Sequence, residues 1–357
     1  MTRLPPLARR SKTLSASLGL GEKLFASSEE RRFAEAIETG LVEVEEGLLR
    51  EVAFADDMAD VTSRYLLEAG GKRIRPVLTL LTAQLGEGNN HAVITAAQAV
   101  EITHLASLYH DDVMDEAEMR RGVPSAQNVW GNSVAILTGD LLFARASKLV
   151  ANLGEGAIKL QADTFERLCL GQLHETIGPR GDDDPIEHYL QVLADKTGSL
   201  IAAAAQMGVI FSNAPEQFAA PVVAFGEKIG VAFQLIDDVI DLAEPEAETG
   251  KAQGTDLRSG VATLPLLFLR RAALTDPDAA SLLARIVRTV SADDTEAVDD
   301  ELAAAIAELR AHDVTTETLD EARRWADEAV AALDPLPEGP VKLALTKFAE
   351  AVVERST

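Results

Sequence analysis

The chain has 357 residues, 47% of them hydrophobic and 25% charged, which is enough for one large globular domain or two ordinary ones. Its formal net charge of −25, from 33 basic and 58 acidic residues, excludes a broad basic surface and with it a nucleic-acid partner. Any phosphate site must therefore be local, made of a few chosen cations or of metal ions.

Residues 1–28 begin as a basic tail, with Arg3, Arg9, Arg10 and Lys12 and no acid before Glu22. The composition is that of a weakly ordered arm or an organelle transit peptide, and it lacks the apolar core of a secretory signal. From residue 29 onward the reading is helix after helix. Aromatics are only 4%, and alanine and leucine are abundant. Apolar residues recur at three- and four-residue spacing in "FAEAIETGLVEVEEGLLREV", 77–85, 92–109, 133–153 and 158–172. The same spacing continues in 186–211, 219–241 and 263–274. The turn-forming clusters "GEGNN", "GPRGDDDP" and "SNAP" separate these segments. Strand-like alternation is hard to find, and no uninterrupted apolar run reaches the 18 residues of a membrane span. The acidic, amphipathic stretch from about residue 292 reads as surface helices closing the same domain. The expected fold is all-α, with one domain over 29–357. Cys169 is the only cysteine, so an intramolecular disulfide is excluded and a reducing cytoplasm is expected. Within "FERLCLGQL" it reads as a small core residue.

Two segments interrupt apolar helical runs with carboxylates. "LYHDDVMDEAEMRRG" carries Asp111, Asp112 and Asp115, and "FQLIDDVIDL" carries Asp237, Asp238 and Asp241. Residues four apart on a helix share a face, so each cluster sets two carboxylates side by side with a third at the flank. A lone DDxxD is ordinarily a solvated helix end. Two matched copies, each next to apolar sequence, point instead to hard-oxygen ligands for divalent cations, which suit Mg²⁺ together with substrate phosphate. Two such clusters facing each other across a helical bundle would hold the ions and a diphosphate between them.

Cations occur near these acids. "GGKRIRP" places Lys72, Arg73 and Arg75 ahead of a helix that Pro76 is suited to open, and a helix start attracts anions. Arg120 and Arg121 follow Asp115, while Gly122 and Pro124 show the chain leaving the helix. Lys196 and Lys251 stand beside Thr197 and Gly250. His104 follows Glu101 at the Glu-x-x-His spacing of di-iron bundles. That architecture needs a second copy of the motif, and none of the other five histidines has one. A plain core or capping histidine is the other bland reading.

Six ordered segments carry a resemblance: "GGKRIRP", "EITHLASLYHDDVMDEAEMRRG", "GNSVAILTGDLLFARA", "KTGSL", "FQLIDDVIDL" and "GTDLRSGVATLPLL". From about residue 40 to the C-terminus the chain resembles the all-trans isoprenyl diphosphate synthases, or polyprenyl synthetases. The resemblance implies an all-α bundle of antiparallel helices around a deep central cavity (the isoprenoid synthase fold), present as a homodimer. It implies that Asp111, Asp112, Asp115, Asp237, Asp238 and Asp241 bind Mg²⁺, three ions with substrate present. Arg120, Lys196 and Lys251 would hold the allylic diphosphate, Thr197 and Gln234 would sit next to the reacting carbon, and Gln172 would lie near the allylic chain. Lys72, Arg75, His104 and Arg121 would hold isopentenyl diphosphate.

The resemblance also bears on product length. Short-chain members of the family block the cavity with an aromatic four or five residues before the first Asp. Here those positions hold Ser107 and Ala106, with Thr103 one turn deeper, which implies an open tunnel and a long-chain product of about C30–C50, used for quinone side chains. Phe143 could set a lower ceiling, which keeps a C20 geranylgeranyl product open. A non-catalytic partner subunit is the rival of another class, although such subunits typically lose one or both Asp clusters. A lipophilic product would make peripheral membrane contact useful. Two departures stand out: Val261 occupies a position where some members carry lysine, and Ala252 replaces a frequent proline.

Overall fold

The computed structural model describes residues 28–243, 253–291 and 296–355. Lys251, Ala252 and the basic arm up to residue 27 lie outside them. Among the described residues the chain is helical throughout, apart from one two-stranded hairpin, Met119–Arg120 paired with Val123–Pro124. The described residues divide into two compact units, one comprising those within 28–166, 200–226 and 332–348 and the other those within 167–199, 227–243, 253–291, 296–331 and 349–355.

The first unit is organised by the helix His91–Met114. Its sequence is apolar on nearly every side, and from Val93 to Tyr109 most of its side chains are buried, as expected for a helix surrounded by other helices. Asn90 caps its start, its side chain accepting from the Val93 N–H. It packs along Asn132–Leu153 and against Ile74–Ala83 and Ser28–Glu51. Ile74–Ala83 is bound to the helix Ser199–Phe211 by two buried hydroxyls. Thr79 donates to the Ala204 carbonyl at 2.9 Å and Thr82 to that of Ala205 at 2.8 Å. Gly208 permits this approach, since a Cβ there would lie 2.3 Å from the Thr79 oxygen.

The second unit has its own core, in which Val231, Leu235 and Ile236 meet Leu264, Leu269, Leu282 and Ile306. Asp184 caps the helix Pro185–Leu193, which begins on its proline. That helix runs into a five-residue π turn, Ala194–Gly198. Such turns are frequent at functional sites. This one is fixed from outside: Arg167 donates to Asp195 at 2.9 Å and pairs with Glu227.

Four sequence expectations change. Periodicity gives a single helix over 186–211, whereas the π turn interrupts it at residues 194–198. Pro76 does not open its helix, which starts at Ile74 with Arg73 as a left-handed cap. Cys169 is exposed rather than buried, because the apolar face of its helix is carried by neighbours such as Leu168. One helical stretch, Glu216–Asp241, is long and apolar enough to cross a membrane by length and composition, although half of its most apolar window is buried inside the protein.

Candidate active site

Asp111, Asp112 and Asp115 stand at the C-terminal end of His91–Met114, with Asp115 as the capping residue. Tyr109, fully buried, ties this end to the preceding layer by donating to the Thr62 carbonyl and accepting from the Leu66 N–H. Asp112 is 0% exposed. Its Oδ1 accepts from Arg120 Nε at 2.6 Å, and its Oδ2 is buried with no protein partner. Burial holds this carboxyl above the usual carboxylate range, and the Arg120 guanidinium opposes that shift. Asp111 is half-buried and Asp115 exposed.

The hairpin positions the cations. Its turn residues, Arg121 and Gly122, have φ of 54° and 76°, as a type I′ turn requires. Arg121 bears the cost of that conformation, roughly 1–2 kcal/mol for a residue with a Cβ, and its guanidinium donates to the Leu66 and Gly70 carbonyls. Arg73 is likewise left-handed, with φ of 52°. It is buried and fully engaged, donating to Glu45 at 2.5 Å, to the Gly70 carbonyl at 3.1 Å and to Glu101 at 3.3 Å. Glu116, directly after the carboxylate cluster, has φ of 51°. Three of the four non-glycine residues at positive φ among those described thus flank this one site, the kind of clustered strain that function retains. Gly71 is required for a further reason: at φ 142°, a Cβ there would lie 2.6 Å from Arg73 Nη1 and 3.0 Å from the Arg121 guanidinium carbon.

His104 and Arg75 join this group. Arg75 is pulled down to about 10 by burial, with Glu101 opposing, and its Nε has no partner. His104 is held well below the usual imidazole range, first by burial and then by Arg75, Arg121, Arg120 and Arg73. It is therefore a neutral imidazole among four guanidinium groups. Lys72 is exposed.

Farther down the same helix, Ala99, Val100 and Thr103 form one wall of an apolar pocket. Gln161, Thr164, Leu200, Ala203 and Met207 complete it, around about 270 Å³ of empty space including its mouth. Ala106 and Ser107 are buried and small. Gln161 reaches toward Thr103 Oγ1 at 3.5 Å, and its own Oε1 is buried without a partner. Phe143 does not line this pocket; its ring lies 4.0 Å from that of Phe165, centroid to centroid.

In the second unit each carboxylate is already engaged. Asp237 accepts from Arg355 at 2.8 Å. Asp238 accepts from the Tyr189 hydroxyl at 2.7 Å and from the Leu264 N–H at 3.4 Å. Asp241 accepts from the N–H groups of Thr255 and Asp256 at 3.2 and 3.1 Å. Burial pushes Asp238 well above the usual carboxylate range, against the Tyr189 hydrogen bond. Lys196 and Thr197 lie on the π turn, Lys196 paired with Glu175 at 2.5 Å. Gly171 makes room for that turn, since a Cβ there would lie 2.6 Å from the Lys196 nitrogen. Gln172 is buried with its Oε1 unpartnered, and Gln234 is half-buried.

Among the described residues, no three His, Cys, Asp or Glu side chains converge closely enough to hold an ion by themselves. The donors nevertheless fit a hard divalent cation: Mg²⁺ takes one or two carboxylates and completes its shell with water and phosphate, and the orphaned Asp112 oxygen is such a donor. Sequence reasoning missed Tyr189, Glu175 and Arg355, which lie in ordinary amphipathic segments with nothing to mark them. It saw Glu101 only as part of a metal motif, although a lone charge in so apolar a run is itself a signal that a buried partner exists.

Comparison with known proteins gives the family. Residues 57–305 match the Polyprenyl synthetase family. The nonaprenyl diphosphate synthase of Mycobacterium tuberculosis is 42% identical over 97% of this chain and 99% of its own length. The crystal structure of a polyprenyl synthase from Caulobacter crescentus, complexed with calcium and isoprenyl diphosphate, superposes with a TM-score of 0.81 at 30% identity, covering 92% of this chain and 98% of that one. A geranylgeranyl pyrophosphate synthase from Corynebacterium glutamicum, complexed with the same two ligands, gives 0.77 at 38% identity, covering 94% and 99%. With its all-α isoprenoid synthase fold, the chain belongs to the polyprenyl synthetase family and is a trans-prenyltransferase.

Proposed function

We propose that this enzyme condenses isopentenyl diphosphate with farnesyl or geranylgeranyl diphosphate, yielding an all-trans polyprenyl diphosphate of about C30–C50 that serves as a quinone side chain. The carrying observation is the helix His91–Met114, which bears carboxylates at its end, cations beside them and an apolar pocket along its middle. Asp111, Asp112, Asp115, Asp237, Asp238 and Asp241 hold Mg²⁺. Bound by these carboxylates, Mg²⁺ would supply electrostatic stabilisation of the charge that develops on the departing diphosphate. Arg120, Lys196 and Lys251 bind that diphosphate, Thr197 and Gln234 flank the reacting carbon, and Gln172 contacts the allylic chain.

Lys72, Arg75 and Arg121 bind the second diphosphate. His104, kept neutral, donates to one of its oxygens without adding charge. Anchoring isopentenyl diphosphate places its double bond against the allylic carbon, a proximity effect. The new carbon–carbon bond forms as the allylic carbon–oxygen bond breaks with its electron pair. A proton then leaves to the released diphosphate, which makes a side-chain base unnecessary. The growing chain passes the small residues Ala106 and Ser107 toward the pocket at Thr103, with Phe143 outside its wall.

The domain spans residues 29–357, preceded by a basic arm, and a second copy covers the exposed apolar residues Ile136, Leu137 and Leu141. The enzyme works in the cytoplasm, with peripheral membrane contact for product release. Incubation of the purified protein with Mg²⁺, farnesyl diphosphate and isopentenyl diphosphate tests the reading. Products of C30–C50 are expected, whereas a stop at C20 indicates a geranylgeranyl synthase, and inactivity without a second protein indicates a partner subunit.

A further inference from the structure

The mechanism leaves one buried charge unused. Glu101 is 3% exposed and lies one turn before His104 on the central helix. It pairs with Arg73 at 3.3 Å, and the other carboxylate on Arg73 among the described residues, Glu45, is 42% exposed. Each nitrogen of the Arg73 guanidinium donates to a protein acceptor: Glu45, Glu101, or the carbonyls of Gly70 and Leu67. Arg73 is thus scaffolding, while Arg75 keeps a nitrogen unpartnered. After burial, Glu101 is the leading influence on the guanidinium groups of both Arg75 and Arg121, and it favours their charged forms. Arg73 and Arg121 meet at the Gly70 carbonyl, to which both donate. The other buried carboxylate here, Asp112, is taken up by Arg120, which leaves Glu101 as the buried counter-charge on the Arg73 side of the cluster.

The reaction explains why such a site needs one. In every round the diphosphate that arrived on isopentenyl diphosphate stays on the lengthened product, which is the allylic substrate of the next round. The cationic cluster must bind that diphosphate and then release it, many times per finished chain. A cluster with no opposing charge would hold it too long. Resting on the function proposed above, we propose that Glu101 is a positioning residue that gathers Arg73, Arg75 and Arg121 while setting a ceiling on their affinity for diphosphate, so that the lengthened product leaves the cluster.

The test is calorimetric binding of isopentenyl diphosphate without metal, together with steady-state kinetics, on wild type, Glu101→Gln and Glu101→Asp. Removing the charge while keeping the shape should tighten Kd and lower the KM for isopentenyl diphosphate about tenfold, the factor that follows from about 1.4 kcal/mol. It should lower kcat as release slows, and Glu101→Asp should return both toward wild type. A purely structural role predicts the opposite, a weaker Kd in Glu101→Gln, and an unchanged or weakened Kd overturns the proposal. If Glu101→Gln does not fold alone, saturating isopentenyl diphosphate should restore a cooperative thermal transition, because ligand replaces the lost counter-charge; failure to do so also overturns it. Wild-type turnover separates the two levels: no elongation by wild type removes the proposed function, whereas elongation with an unshifted Glu101→Gln removes only this inference.

Discussion

The two aspartate clusters have the same spacing and opposite surroundings. In the first, Asp112 is buried with one oxygen on Arg120 and the other without a partner. In the second, Asp237, Asp238 and Asp241 all accept hydrogen bonds, from Arg355, Tyr189, Leu264 and two backbone N–H groups. A repeated motif therefore carries two local designs. One cluster keeps a buried oxygen without a protein partner, and the other is braced by its own unit, so a metal held there as proposed would have to compete with Arg355.

The largest expected effect is shared. Asp112→Ala and Asp238→Ala should each lower kcat by about 10²–10³-fold or more, the loss typical of removing electrostatic stabilisation of a transition state. Thermal unfolding should then separate them. Asp238→Ala strands the Tyr189 hydroxyl and should cost about 1–3 kcal/mol, whereas Asp112→Ala leaves a half-exposed Arg120 that can turn to water and should cost under about 1 kcal/mol. Equal costs would erase the distinction between the clusters.

Next in size is product length. Ser107→Phe or Ala106→Phe adds a ring where the helix wall is small and buried, and chromatography should show shorter products, about C15–C20. Phe143→Ala should leave the length unchanged, since that ring stacks on Phe165 outside the pocket.

How much of this was legible follows from where each signal resides. The carboxylates and cations lie in short apolar or glycine-rich segments, where a charge is conspicuous, so composition and spacing find them. The small residues at 106 and 107 can be read the same way. What braces the second cluster cannot. Tyr189 and Arg355 come from 49 and 118 residues away in the chain and sit in helices whose patterns are satisfied without them. The π turn at Lys196 was hidden because a one-residue insertion in the helical ladder barely disturbs apolar periodicity, while Gly171, which makes room for it, reads as any helical glycine. The hairpin was hidden because two-residue strands are too short to alternate.

Smaller effects sharpen the comparison further. Arg355→Met removes the competitor at Asp237, and the Mg²⁺ concentration for half-maximal activity should fall about two- to fivefold, the result of about 0.4–1 kcal/mol for a partly exposed pair; the same change applied to Arg145, which pairs with Glu51 and with neither cluster in the bonds described, should do nothing. The last effect is on pH. His104 is buried neutral with its pKa depressed, so the unfolded chain binds more protons below about pH 6.5. Stability should therefore decline as pH falls below that value. In denaturant titrations His104→Gln should show a shallower decline.

The central claim is that carboxylates and diphosphate share metal ions. Its most direct measurement is calorimetry of Mg²⁺ and an unreactive thio-analogue of farnesyl diphosphate, titrated singly and together into wild type and Asp112→Ala. The account predicts that each ligand tightens the other's binding in wild type and that this coupling is lost in the variant. Diphosphate binding that ignores both Mg²⁺ and the loss of Asp112 would contradict it.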